Sequence, residues 1–159
     1  MEISLNDYCA RKLAAPIGAL AGWQSAADAV LRAASLVGDA LIGVVAFGSW
    51  ARAELSESSD VDLLIVVEDR IELNRSLYRR WDASPASWDG RRVEPHFVHL
   101  PQPGKTAAGL WAEVAVDGFV LFTRNFALPA RLARIRSDIA SGRIVRRVVQ
   151  GQTYWIEAA

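Results

Sequence analysis

The chain has 159 residues, and its 52% hydrophobic content is typical of one folded domain rather than a disordered segment. Its 18 basic and 18 acidic residues cancel, so net charge gives no argument for a nucleic-acid or membrane partner. Cys9 is the single cysteine, which excludes an internal disulfide. The polar first dozen residues and the short apolar runs favour a cytoplasmic protein with no signal peptide and no membrane span.

The first half of the chain predicts a helix followed by two strands. Residues 16–38 have apolar positions at helical spacing, so we expect a helix that ends near Gly38. The runs 41–47 and 61–67 are continuously apolar and rich in β-branched residues. Neither run alternates with polar residues, which predicts central strands buried on both faces. Between them we expect a short helix over 49–54 and a polar loop over 55–59.

The next segment predicts a helix over 70–82 and a strand over 92–100. The intervening SPASWDG stretch, with Pro85 and Gly90, indicates a break without regular structure. Pro95 interrupts the second pattern and cannot donate a backbone hydrogen bond. This strand is therefore expected at a sheet edge or with a bulge.

The last part predicts a helix over 106–116, a strand over 118–124 and an amphipathic helix over 127–141, followed by a hairpin or docking arm. The alternation of helices and strands predicts an α/β (α+β) fold with a mixed β-sheet flanked by helices. We expect a single domain over 1–159, with a core at about 20–125 and a C-terminal extension at about 126–159.

Asp60 and Asp62 stand at the start of the second apolar strand. Residues i and i+2 of a strand share a face, so the two carboxylates should project together. Adjacent carboxylates repel each other unless a positive charge neutralises them. Mg²⁺ is commonly held by one or two carboxylates and substrate phosphates, which makes this pair a predicted metal site.

Gly48 and Ser49 follow the first strand and open the short helix. Glycine lets a phosphate approach the backbone closely, and a helix start offers free N–H groups to an anion. Arg52, one turn later, could add a charge-assisted contact. A phosphate-binding turn beside a metal-binding pair suits phosphoryl or nucleotidyl transfer.

These residues resemble the signature of the minimal nucleotidyltransferases, a branch of the nucleotidyltransferase superfamily related to polymerase β. The resemblance covers about residues 40–100, and the matching residues are Gly48, Ser49, Ala51, Arg52, Ser59, Asp60, Asp62 and Leu63. It implies nucleotide binding by Gly48, Ser49, Arg52 and Ser59. The resemblance also implies Mg²⁺, with two ions expected, on Asp60, Asp62 and a third acidic residue. Glu94, on the strand predicted over 92–100, is the candidate for that third ligand or general base.

His96 shares a face with Glu94 if that strand is regular. Neither His96 nor His99 has the spacing of a zinc ligand, so both are predicted to be structural or surface residues.

The activity that the resemblance implies is transfer of AMP from ATP to an acceptor hydroxyl. Stand-alone members of the family often modify a HEPN-type toxin, so a protein acceptor is expected. Transfer to a small molecule and a non-catalytic binding module remain alternatives. A third alternative is a nucleic-acid-binding surface formed by C-terminal arginines, although such residues more often form a solvated helix face. These arginines are Arg131, Arg134, Arg136, Arg143, Arg146 and Arg147.

Overall fold

The computed structural model describes residues 23–54, 56, 59–150 and 152–158. The predicted residues 16–22 of the first helix lie outside this range. In chain order the elements are α1 (Trp23–Val37), β1 (Leu41–Phe47), α2 (Gly48–Ala51), β2 (Val61–Val67), α3 (Arg75–Asp82), β3 (Ser87–Trp88), β4 (Arg91–His99), α4 (Leu110–Asp117), β5 (Phe119–Thr123), α5 (Ala127–Ala140), β6 (Ile144–Val149) and β7 (Gln152–Glu157). A 3-10 turn, Gly38–Ala40, joins α1 to β1.

The main sheet has the strand order β3-β4-β2-β1-β5. Strands β2 and β4 are parallel, whereas the other neighbours are antiparallel, so the sheet is mixed. The prediction of a mixed sheet with β1 and β2 as central strands is confirmed. Their continuous apolar sequences follow from this position, because each strand is covered on both faces.

The core lies on both faces of the sheet. On one face, buried side chains of α1 and α3 such as Ala29 and Trp81 pack against alternate residues of the strands. On the other face, α4 and α5 cover the remaining strand positions, with Leu132 and Ile135 fully buried. This helix–sheet–helix layering leaves the ends of the strands as the places where polar groups can gather.

Four predictions of local structure are wrong. Helix α4 begins at Leu110, whereas the sequence predicted a helix from residue 106. The SPASWDG stretch contains a two-residue strand, β3, which pairs with Arg91 and Arg92 of β4. The short helix after β1 begins at Gly48 and ends at Ala51, earlier than predicted. Helix α3 begins only at Arg75, because the side chain of Asn74 caps it by accepting hydrogen bonds from the N–H groups of Ser76 and Leu77.

Pro95 lies in β4 without disturbing the register with β2, since Leu63 pairs with Pro95 between two regular neighbours. The outer side of β4 is paired with β3 only at its first two residues. Pro95 therefore lies where the part of the sheet that the structure describes has no outer strand. The edge prediction is confirmed, and the bulge alternative is not needed.

The C-terminal segment packs onto the body through apolar contacts. Helix α5 approaches β1 so closely that a Cβ atom on Gly43 would lie 2.4 Å from Cδ2 of Leu128. Strands β6 and β7 form the predicted hairpin, and Ile144, the first residue of β6, is buried. None of the described helices is long and apolar enough to cross a membrane.

Candidate active site

The candidate site lies where β1 ends and β2 begins. The two strands are antiparallel neighbours, and their register pairs Phe47 with Asp62. The turn after β1 therefore lies directly beside the second aspartate of the predicted pair. Asp60 precedes β2 and is exposed, whereas Asp62 is within the strand and its side chain is 32% exposed.

Gly48 is held in the left-handed region, with φ at +72°. A Cβ atom at this position would lie 2.4 Å from Oδ2 of Asp62, which is far inside van der Waals contact. The missing side chain is thus what admits the carboxylate, and it also permits the sharp change from strand to helix. Gly48 and Asp62 are separated by a loop in the sequence signature. In the structure, the Asp62 carboxylate occupies the space that a side chain at position 48 would need.

Ser49 is half-buried in the single turn of α2. Within that turn its carbonyl accepts a hydrogen bond from the N–H of Glu54 at 2.9 Å, and the carbonyl of Gly48 accepts one from Arg52. The first N–H groups of a helix have no partner inside the helix. The backbone beside Gly48 is consequently able to receive an anion, as the sequence predicts.

Glu94 is the register partner of Asp62 in the parallel pair of β2 and β4. Directly paired residues of neighbouring strands project to the same face, so the two carboxylates are adjacent. The Glu94 side chain is 42% exposed, and one of its oxygens lies 3.4 Å from a guanidinium nitrogen of Arg92. The strand register thus brings the predicted third acidic residue beside Asp62, although its metal-binding role stays a prediction.

His96 is a residue of this site that the sequence reasoning set aside. Its Nε2 atom lies 3.2 Å from Oδ1 of Asp62, and its ring meets that of Phe47 edge-on at a centroid distance of 5.3 Å. The available signal was its position two residues after Glu94 on a regular strand. The zinc spacing rule did not detect it because its partner is on another strand.

Arg52 points to a cluster of acidic side chains. Its guanidinium lies 2.8 Å from Glu54, 3.2 Å from Glu113 and 3.7 Å from Asp117. Burial lowers the pKa of Arg52, but the hydrogen bonds and charges of these carboxylates outweigh it, and the pKa lies above its usual value. The predicted phosphate contact is not tested, yet the charge of Arg52 already has partners on α4.

Ser59 is likewise engaged in the loop before Asp60. Its hydroxyl accepts a hydrogen bond from the N–H of Ser56 at 2.9 Å and lies 2.7 Å from the Ser56 hydroxyl. Arg91 donates to the carbonyls of both serines. These bonds hold the backbone that leads into Asp60, and the predicted nucleotide contact of Ser59 stays untested.

The donor set fits a divalent cation. Among the described residues, the ion pairs of Asp62 include no arginine or lysine, and none is found for Asp60. No three acidic, histidine or cysteine side chains in the described ranges are already gathered around one point. Because Mg²⁺ usually takes one or two carboxylates and completes its shell with phosphates and water, two aspartates at this spacing are sufficient protein ligands.

A separate cavity of about 830 Å³ opens at the opposite ends of the strands. It is lined by Ile42, Glu68, Leu100 and the segment 101–106, together with residues of α5. None of the predicted site residues lines it. The chemistry of the signature therefore belongs to the surface around Gly48 and Asp62, and not to this cavity.

The family comparison agrees with this geometry. Residues 30–107 match the family model described as a nucleotidyltransferase domain. The chain therefore carries a nucleotidyltransferase domain, and the protein is a nucleotidyltransferase, as the sequence resemblance implied.

Two solved structures are similar to the chain. One is described as a toxin-antitoxin with AMP-PNP, at 16% identity and a TM-score of 0.49. The other is a mutant of the toxin-antitoxin MntA-HpeT, at 14% identity and a TM-score of 0.48. Each similarity covers 72% of this chain and 86% of the other. No curated protein matches the sequence significantly.

Proposed function

We propose that this nucleotidyltransferase uses ATP and Mg²⁺ to transfer AMP to a hydroxyl group. The observation that carries the proposal is the shared space of Gly48 and Asp62, with Asp60 two residues before and Glu94 in register beside it. The backbone of Gly48 thus lies against Asp62, and neither Asp60 nor Asp62 has an arginine or lysine partner among the described residues. Such an arrangement suits a reaction in which positioning and charge stabilisation are most of the catalysis.

In this proposal Gly48 and Ser49 bind the triphosphate, and Asp60 and Asp62 hold the metal ions. Bound ions would neutralise the phosphates and lower the pKa of the acceptor hydroxyl. Glu94 either completes the ligand set or accepts the proton of the attacking hydroxyl. The hydroxyl oxygen bonds to the α-phosphorus of ATP as the bond to pyrophosphate breaks. Arg52 and Ser59 hold the flanking turn and loop through the contacts described above.

We further propose that the acceptor is a protein, of the HEPN toxin type that the sequence resemblance implies. The support is the sequence signature itself, since no described residue identifies the acceptor. We propose a cytoplasmic protein that acts as one domain over 1–159. The burial of Leu128, Leu132 and Ile144 against the sheet supports the single domain.

The test is transfer of label from α-labelled ATP in the presence of Mg²⁺. The wild-type protein, Asp60→Asn and Asp62→Asn are incubated with a HEPN-type protein encoded beside this chain, and separately with cell lysate. Asp69→Asn is the matched control, because Asp69 is exposed beyond the opposite end of β2. Label on a discrete acceptor with wild type and control, but not with the site variants, supports the proposal.

One observation favours a second candidate, a non-catalytic binding module. The carboxylate of Glu94, the predicted third ligand, lies 3.4 Å from the guanidinium of Arg92 and so already has a charge partner. If the module is correct, the folded wild-type protein transfers no label from any nucleoside triphosphate. The protein then still inhibits its partner toxin by contact after both aspartates are substituted. The enzymatic proposal does not allow this result.

A further inference from the structure

The contact between His96 and Asp62 is built by the sheet. In the parallel register, Asp62 and Leu64 are paired with Glu94 and His96, so the imidazole and the carboxylate project to one face. The edge-on contact with Phe47 fixes the plane of the ring. Both side chains still reach solvent, at 38% exposure for His96 and 32% for Asp62. The pair is therefore oriented and accessible, as a ligand pair must be.

The separation of the two atoms matches that of neighbouring ligands on one ion. Metal–nitrogen and metal–oxygen bonds of about 2.1 Å at a right angle place the two donor atoms about 3 Å apart. The observed distance from His96 Nε2 to Asp62 Oδ1 is 3.2 Å, a hydrogen-bond contact in which a metal ion would take the place of the shared proton. Histidine is also the commonest metal ligand among protein side chains, and it binds through a neutral ring nitrogen.

We propose that His96 is a nitrogen ligand of the divalent ion held by Asp62, and that it makes the site selective for transition metals over Mg²⁺. This inference rests on the proposed function. A site of carboxylates alone suits hard ions such as Mg²⁺, whereas imidazole raises the affinity for ions further along the first transition row. Affinity is expected to rise from Mg²⁺ to Mn²⁺ to Co²⁺.

The chain contains its own control, because it has only two histidines. His99 lies three residues further along β4 and thus on the other face of the sheet. Its Nε2 lies 2.8 Å from the carbonyl oxygen of Ile71. A metal at Asp62 should therefore affect His96 and leave His99 unchanged.

The first experiment measures binding of Mg²⁺, Mn²⁺ and Co²⁺ alone by calorimetry to wild type, His96→Gln, His99→Gln and Asp62→Asn. We expect His96→Gln to weaken Co²⁺ binding at least about tenfold, since mutating even the outer-shell partners of metal ligands commonly costs about that much. Mg²⁺ binding should change less than about threefold, and His99→Gln should resemble wild type. Equal weakening of all three metals, or of none, would overturn the inference.

The second experiment observes the wild-type ring directly and needs no variant at position 96. Histidine nitrogens are followed by ¹⁵N NMR during addition of Zn²⁺, on a Cys9→Ser background because a thiol also binds zinc. A shifted, unprotonated Nε2 of His96 with an unchanged His99 supports coordination. If zinc binds through Asp62 while the His96 signal stays unchanged, the inference fails and the proposed function stands. If Asp62→Asn binds every metal as wild type does, the proposed metal site itself fails.

Discussion

The carboxylates at the two ends of β1 and β2 differ in whether arginines pair with them. At the end away from the site, Arg70 contacts Asp39 at 2.6 Å and Glu68 at 2.7 Å, and Arg124 also contacts Glu68 at 2.7 Å. At the site end, the described residues place only a histidine against Asp62 and no basic side chain against Asp60. The acids of the first end are neutralised within the chain, whereas Asp60 and Asp62 keep the free charge that the proposed metal site requires.

This difference separates a structural cluster from a functional one. The hydrogen bonds of Arg70 and Arg124 lower the pKa of Glu68, as expected of a carboxylate that is paired in the folded state. Among the described residues, Asp60 and Asp62 gain no arginine or lysine partner. Removing a charge should therefore have different consequences at the two ends.

The largest effect is expected from replacing one acid at each end by its amide. Asp62→Asn should reduce nucleotidyl transfer on the order of a thousandfold, since a metal site contributes several kcal/mol to transition-state stabilisation. Its melting temperature should be nearly unchanged, because no ion pair with an arginine or lysine is lost. Glu68→Gln should lower the melting temperature and keep transfer within about twofold of wild type. Loss of transfer in both variants would show that the two ends are not distinct.

Gly48→Ala tests the shared space at the site end. The substitution places a Cβ atom 2.4 Å from Asp62 Oδ2 in a backbone with φ at +72°. We expect a loss of about 2 kcal/mol in unfolding free energy and of about a hundredfold in transfer, because the carboxylate is displaced. Gly142→Ala, where φ is +75° and no atom lies within 4 Å, controls for backbone strain alone. Equal loss of transfer in both variants would contradict the proposed displacement.

Arg52→Gln distinguishes the two roles considered for this arginine. Removing the guanidinium leaves Glu54, Glu113 and Asp117 without their shared partner, so we expect a loss of about 1 kcal/mol, or about 3 °C in melting temperature. The KM for ATP should stay within about twofold of wild type. A raised KM with an unchanged melting temperature would instead establish the phosphate contact that the sequence suggests.

The smallest expected effect is the pH dependence of the paired end. Because the pKa of Glu68 is lower in the folded state than its ordinary value of 4.5, its stabilising effect is fully present above that value. It is lost as the pH falls through the lowered pKa. The difference in melting temperature between wild type and Glu68→Gln should thus shrink below about pH 4.5. A difference that persists unchanged at lower pH would exclude this origin.

Sequence alone was sufficient for the parts of the fold that depend on local pattern. Strands β1 and β2 were predicted to the residue because each is an unbroken apolar run between polar segments. The strand β3 was missed because two residues beside Pro85 have no periodicity to detect. Its pairing with β4 is set by tertiary packing.

The site shows the same division. Gly48, Ser49, Asp60 and Asp62 form a short signature that can be recognised in one stretch of chain. The acidic partners of Arg52 on α4 lie 61 and 65 positions away, as the residue numbers show. The contact of His96 with Asp62 depends on the register of two parallel strands. Such contacts are absent from any local pattern, so the sequence could predict a phosphate contact for Arg52 and a structural or surface role for His96 but could not show these partners.

The parallel pairing of β2 and β4 also has a consequence for the order in which the site assembles during folding. Strands β1 and β2 form a local antiparallel pair that brings Gly48 and Asp62 together after closure of a short loop. Glu94 and His96 arrive only when the crossover through α3 has placed β4 beside β2. Since non-local pairing forms more slowly than local pairing, we expect the two halves of the site to mature at different times. In a newly made chain, Gly48 and Asp62 would then come together before Glu94 and His96 reach their places beside Asp62.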